Sequence, residues 1–427
     1  MSEPMPFARD TVARMHAGKT TAEQECRAHI ARIDAAEPRV QAWQHLALAP
    51  ALENASQIDS LSPLAGVAVG VKDVIDTALM PTGYGSAAYA GHQPAWDAPI
   101  VTRTRQAGGI ILGKTVSTEF AMSSPGKTRN PANTAHTPGG SSSGSCAAVA
   151  AGMAQIAFGT QTSGSIIRPA AFCGVVGYKP SFGTLNRTAV KPLSDSLDTV
   201  GVITRDLRDA AFATAVLAER PELMPGDQWC APRIGVFLGS RWKLASAETA
   251  AALKRTETAL SHAGCTVKDV PVPDWFDALY AHHDAVMGWE TPRCLAYERA
   301  MLGDRLTPTT LQFLDLLSKT TLTEYDDARR ALEHRAGLLE RVLDGYDALL
   351  TPAAPGEAPL GLSNTGDPVF NKVWTLLHGP CLTLPVIKGP QGLPVGIQLI
   401  GRLGADAGLL ATAAFVEDAL AAMPGGE

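Results

Sequence analysis

The sequence predicts an α/β protein built on one large mixed β-sheet with helices on both faces. Short β-branched runs alternate with helical stretches along the chain. Two polar, glycine-containing loops also bracket a single helix and a single strand, which is how a site is set on a rigid scaffold. At 427 residues, 45% hydrophobic and 18% charged, the chain is long enough for one large unit and apolar enough for a folded core.

Residues 1–60 read as a helical arm packed on the core. Thr21-Ala22-Glu23-Gln24 fits a capping box, and Cys26, Ile30 and Ile33 follow at helical spacing. Residues 61–427 read as one catalytic unit. Within it, residues 67–71 form a short β-branched run, a buried strand ending at Lys72-Asp73. Residues 101–106 are helical, Gly108-Gly109 stops them, and 110–112 resume as a strand. A polar, turn-rich loop covers 130–138. Gly139-Gly140-Ser141-Ser142-Ser143-Gly144-Ser145 then leads into an alanine-rich helix at 147–151, a strand at 155–158 and a second polar loop at 159–165. Residues 205–345 read as a helical insertion, with a strand at 234–238 and a helix over 247–262 stopped by Gly264. Residues 348–350 and 395–400 are late strands.

The net charge of −6 argues against a general nucleic-acid binder, which carries a basic excess. No apolar run approaches the ~18 residues of a membrane span, and residues 1–10 lack a leader pattern. The seven cysteines, Cys230 among them, are scattered without a CxxC or Cys/His cluster. Reduced thiols, a cytoplasmic location and no metal or organic cofactor are the expectation. His282 and His283 are adjacent, so they point to different helix faces and do not pair on a metal.

Three serine patterns compete for the chemistry. Gly140-Ser141-Ser142-Ser143-Gly144 matches a nucleophile elbow centred on Ser142, but a loop rather than a strand precedes it. Ser124-Pro125-Gly126-Lys127 is a short SxxK match interrupted by Pro and Gly. The third pattern is longer: the 139–145 loop, then GTQTSGSIIRPA at 159–170 and FCGVVGYKP at 172–180. Further blocks stand at 66–73, 108–115, 129–131 and 392–401. Together they resemble the amidase-signature family across residues 60–203 and the last eighty or so.

That resemblance implies a Ser–cis-Ser–Lys triad: Ser165 as nucleophile, Ser141 as bridge after a cis Gly140–Ser141 peptide, and Lys72 as base. The residue types suit the task. A serine hydroxyl needs a base, a buried lysine can be neutral at working pH, and a second hydroxyl can donate and accept at once. The N–H groups of Thr162, Ser163, Gly164 and Ser165 are placed to form an oxyanion hole. Gly140 and Ser142 are expected at the substrate, and the hydroxyls of Ser142, Ser143 and Ser145 are expected to fix the loop.

Gln161 stands where the family usually has Asp, and its amide can partly replace that group in orienting the loop. Ser163 stands where the family usually has Gly. Arg168, three residues after the nucleophile, resembles the malonamidase-type branch, in which the matching Arg holds a substrate carboxylate. The alternative is an internal Arg bonded to a buried acid or to loop carbonyls. The 205–345 insertion is expected to supply a pocket wall, with His282-His283, Trp289-Glu290 and Tyr297 as its polar-aromatic features. The expected activity is hydrolysis of a small-molecule amide. Alternatives are carbamate, biuret-type and aryl amide hydrolysis, or the ammonia-generating component of a tRNA-dependent amidotransferase. A homodimer is the family-level expectation.

Overall fold

The computed structural model describes residues 5–226 and 231–423. Cys230, and residues 1–4 of the stretch inspected for a leader, lie outside the described residues. The strands are β1 (Trp43–Leu46), β2 (Ala68–Lys72), β3 (Ile110–Thr115), β4 (Ile156–Gln161), β5 (Val176–Lys179), β6 (Thr199–Thr204), β7 (Arg233–Val236), β8 (Thr266–Asp269), β9 (Ala348–Pro352), β10 (Cys381–Lys388) and β11 (Pro394–Ile400). They form one 11-stranded sheet in the order β1-β3-β2-β4-β6-β5-β10-β11-β9-β7-β8. The β3–β2–β4 and β9–β7–β8 neighbours are parallel, and the centre between them is antiparallel. The predicted mixed sheet is therefore the fold.

Strand side chains alternate between two cores, as a period of two requires. Val69 and Val71 of β2, Ile156 and Phe158 of β4, and Val200 and Val202 of β6 face one side. Helices Pro99–Gln106, Leu207–Ala218, Ala247–His262 and Asp406–Ala421 pack there. Ala68, Ile110 and Leu112 face the other side, under helices Ala22–Val40, Leu48–Ala55 and Ser143–Ala150. Helix Ile167–Cys173 continues that layer against Ala157 and Ile203. The Thr21 capping box forms as the sequence predicts.

Several elements differ from the sequence reading. The 1–60 segment is not helical throughout: β1 pairs antiparallel with β3 and closes that edge of the sheet. Glu37 turns the chain into β1 by accepting the N–H groups of Ala42 and Trp43 at 2.8 and 3.0 Å. Stretch 205–345 is not purely helical either, since β7 and β8 join the main sheet and helices Leu207–Ala218 and Ala247–His262 cover its face. The helical stretch proper runs from Ala278–Cys294 through Arg335–Leu343. β4 extends to Gln161, so the second polar loop is only 162–166, and the first loop becomes helical at Ser143. Strands β5, β6, β8 and β10 go beyond what the sequence pattern predicts. Among the described residues, no helix is long and apolar enough to cross a membrane, and the six described cysteines are free.

Candidate active site

β2 delivers Lys72 to the sheet interior with none of its surface exposed. Its Nζ lies 2.7 Å from Ser141 Oγ, 2.7 Å from Thr160 Oγ1 and 3.4 Å from the Thr160 carbonyl oxygen. Burial pulls this amine down from 10.5 to about 7, against the opposing pull of Asp198 and Cys146. Lys114 on the neighbouring strand is a useful contrast. It is equally buried, but it sits 3.7 Å from the Asp73 carboxylate and donates to the Ile75 carbonyl at 2.5 Å. Asp73 in turn accepts the N–H groups of Gly83 and Gly85, so that lysine staples a loop.

The first glycine–serine loop is held against β4. Gly139 has a φ of +81°, and a Cβ there would press on the Pro169 backbone. The Gly140–Ser141 peptide is cis. Ser142 Oγ donates to the Thr160 carbonyl and accepts from its N–H, both at 3.3 Å. Ser143 Oγ donates to Val116 O at 3.2 Å and Ser145 Oγ to Phe158 O at 2.8 Å. The Ser142 N–H donates to Ser165 O at 3.3 Å, so the two loops abut there.

The second loop is closed by the amide of Gln161. Its Oε1 accepts the N–H groups of Ile166 and Ile167 at 2.9 and 3.1 Å. Its Nε2 donates to Thr375 Oγ1 at 2.9 Å, and that hydroxyl donates to Ser163 O at 2.8 Å. Thr162 Oγ1 donates to Asp198 Oδ1 at 2.5 Å. A Cβ on Gly164 would collide with the Asn371 side chain, so only glycine fits. Among the described residues, the N–H groups of Thr162, Ser163, Gly164 and Ser165 donate to no protein acceptor.

Thr162, Ser163 and Ser165 line a cavity of about 530 Å³. Met287, Phe313, Leu316 and Leu317 form its apolar wall, all from the helical stretch. Arg168, Thr365, Asp367 and Lys372 line the polar side. Arg168 Nε donates to Thr365 O at 2.8 Å and Nη2 to Gly140 O at 2.6 Å, while Nη1 is buried without a partner. Burial lowers its pKa to about 10, against Asp367.

The amidase family model matches residues 25–410. This chain belongs to the amidase family. The A-type component of glutamyl-tRNA(Gln) amidotransferase from Nitratidesulfovibrio vulgaris is 34% identical to it over 96% of each chain. Peptide amidase from Stenotrophomonas maltophilia superposes with a TM-score of 0.81 at 29% identity, covering 99% of each chain. A chain from a vestigial protein complex bearing on the origins of an s-triazine catabolic enzyme gives a TM-score of 0.88 at 25% identity. It covers 97% of this chain and 98% of that one. The protein is thus an amidase-family hydrolase of C–N bonds, with that family's α/β fold.

Within this amidase, Thr162, Ser163, Ser165 and Arg168 line the cavity, while Lys72 and Ser141 are bonded to each other and Gly164 packs on Asn371. Gly140 and Ser142 do not line the cavity: Gly140 turns its carbonyl to Arg168, and Ser142 turns its hydroxyl to Thr160. Of the insertion's polar features, Glu290 is buried and accepts from Ser194 and Ser196, docking the helices on the core. Trp289 stacks on Tyr325, and Tyr297 is exposed. The sequence reading assigns no role to Thr160, though it stands in the quoted 159–170 block, and it misses Asp198, Thr365, Asn371 and Thr375, which lie far from the serine loops in sequence.

Proposed function

We propose that this amidase hydrolyses the C–N bond of a small-molecule amide through an acyl-enzyme on Ser165. The observation that carries the reading is Lys72. Its amine is buried, pulled down to about 7, and 2.7 Å from the hydroxyl of Ser141, whose neighbour Ser142 bonds Ser165 on the cavity wall. A neutral Lys72 offers two N–H groups to the Thr160 oxygens and one lone pair to the Ser141 proton. Ser165 Oγ then attacks the amide carbonyl as its proton passes to Ser141 and that of Ser141 passes to Lys72. The N–H groups of the 162–165 loop receive the developing oxyanion. The proton returns to the leaving nitrogen as the C–N bond breaks, and water repeats the sequence to free the acid.

Arg168, which lines the polar side of the cavity with Nη1 unpaired, favours a substrate with a carboxylate near the scissile carbonyl, because a guanidinium suits a carboxylate. The test is ammonia release from a panel of primary amides, with and without a second carboxylate, by wild type and Ser165→Ala. Turnover abolished by Ser165→Ala supports the reading, and equal turnover in both rejects it. Resemblance to the A-type component of the tRNA-dependent amidotransferase favours a second reading, in which the chain supplies ammonia by hydrolysing glutamine. The same panel separates the two: a component that works only inside a complex is inert when isolated, so turnover of the panel by the lone chain counts against that reading.

A further inference from the structure

We propose that His283 is a positioning residue for amide hydrolysis, clamping the loop that carries the oxyanion-binding N–H groups. The inference builds on the reading of Ser165 as nucleophile. His283 is fully buried on the Ala278–Cys294 helix and does not line the cavity. Its Nε2 lies 3.1 Å from Ser163 Oγ and 3.1 Å from the Thr162 carbonyl oxygen. Its Nδ1 lies 3.2 Å from Asp284 Oδ1, which also accepts from Lys372 Nζ at 2.8 Å.

The proton inventory follows from the partners. Asp284 only accepts, so Nδ1 carries a proton. On that tautomer Nε2 is bare and accepts from the Ser163 hydroxyl, with the Thr162 carbonyl oxygen at the same distance. Thr375 also holds Ser163 O, and Asp198 holds the Thr162 hydroxyl. The loop is therefore held by more than one partner, while the 162–165 N–H groups donate to no acceptor among the described residues. Ser163 departs from the usual family glycine, and His283 is its partner. A glycine at 163 gives the imidazole no hydroxyl to hold.

The test compares wild type, Ser165→Ala, His283→Ala, His283→Gln, Ser163→Gly and the His283→Ala/Ser163→Gly double variant on an amide that wild type turns over. His283→Ala is expected to lower kcat by ~10–100-fold with KM within about threefold, because a misplaced donor set weakens the transition state more than substrate. An aldehyde inhibitor, whose hemiacetal oxygen mimics the oxyanion, loses affinity by the same factor, while the product carboxylate binds as before. The Gln amide reaches the Nε2 position, so His283→Gln restores most of kcat. The double variant is no worse than the poorer single, as expected for a shared interaction. An unchanged kcat in His283→Ala overturns the clamp. So does equal impairment of Ala and Gln with aldehyde affinity retained, which marks a packing role. Residual turnover in Ser165→Ala sinks the nucleophile assignment instead, independently of the His283 result.

Discussion

The reacting centre and the wall that faces it are built in opposite ways. The centre comes from a β2 end, the 139–145 loop and the β4–helix turn, and Lys72, Ser141 and Gln161 are almost wholly buried and bonded to backbone or hydroxyl partners. The wall comes from the helical stretch and is apolar, with Leu316 more than half exposed. A buried, over-bonded centre tolerates one geometry and so one chemistry. A partly exposed apolar wall accepts many side chains at little cost in stability. In the proposed mechanism the buried centre carries the chemistry and the wall selects the substrate.

If that contrast is right, changes at the centre act on kcat and changes at the wall act on KM. The largest effect belongs to Ser165→Ala and Lys72→Met, each lowering kcat by at least ~1,000-fold in steady-state assays while circular dichroism shows the fold intact. Ser141→Ala comes next, at ~100-fold or more, because the proton then has no hydroxyl bridge to Lys72. Wild-type kcat/KM should climb with pH and level off above an inflection near 7, since only neutral Lys72 accepts the proton. Lys72→Met residual activity should lack that inflection. Arg168→Lys should raise KM ~10-fold or more for carboxylate-bearing amides and leave neutral amides nearly unchanged, as an ammonium cannot match the planar fork. The smallest effect is Phe313→Ala, a rise in KM of ~10-fold or less, confined to substrates with an apolar arm. A kcat loss at Phe313 matching that at Ser141 would erase the distinction between the two regions.

The same contrast explains what the sequence reveals. Elements with a long period or a cap are readable: the Thr21 helix, the Ala247–His262 helix and the apolar run of β2. Lys72, Ser141 and Ser165 are readable because contiguous glycine–serine loops and one apolar strand carry them. β1 and β5, at four residues each, are too short to show a period, and β1 owes its state to pairing with β3. Gln161 reads as a partial stand-in for Asp, and its Oε1 does hold the loop through two N–H groups. His283 is visible in the sequence only as half of a histidine pair. Its contact with Ser163 spans 120 positions, which no local pattern encodes.

The central claim is that Ser165 is the nucleophile and Lys72 its base. The most direct test is the intact mass of wild type, Ser165→Ala and Lys72→Met after phenylmethylsulfonyl fluoride, with peptide mapping of any adduct. The account predicts one sulfonyl group on Ser165 in wild type, none in Ser165→Ala, and much slower labelling in Lys72→Met. An adduct on Ser142, or one that persists in Ser165→Ala at the wild-type rate, would contradict it.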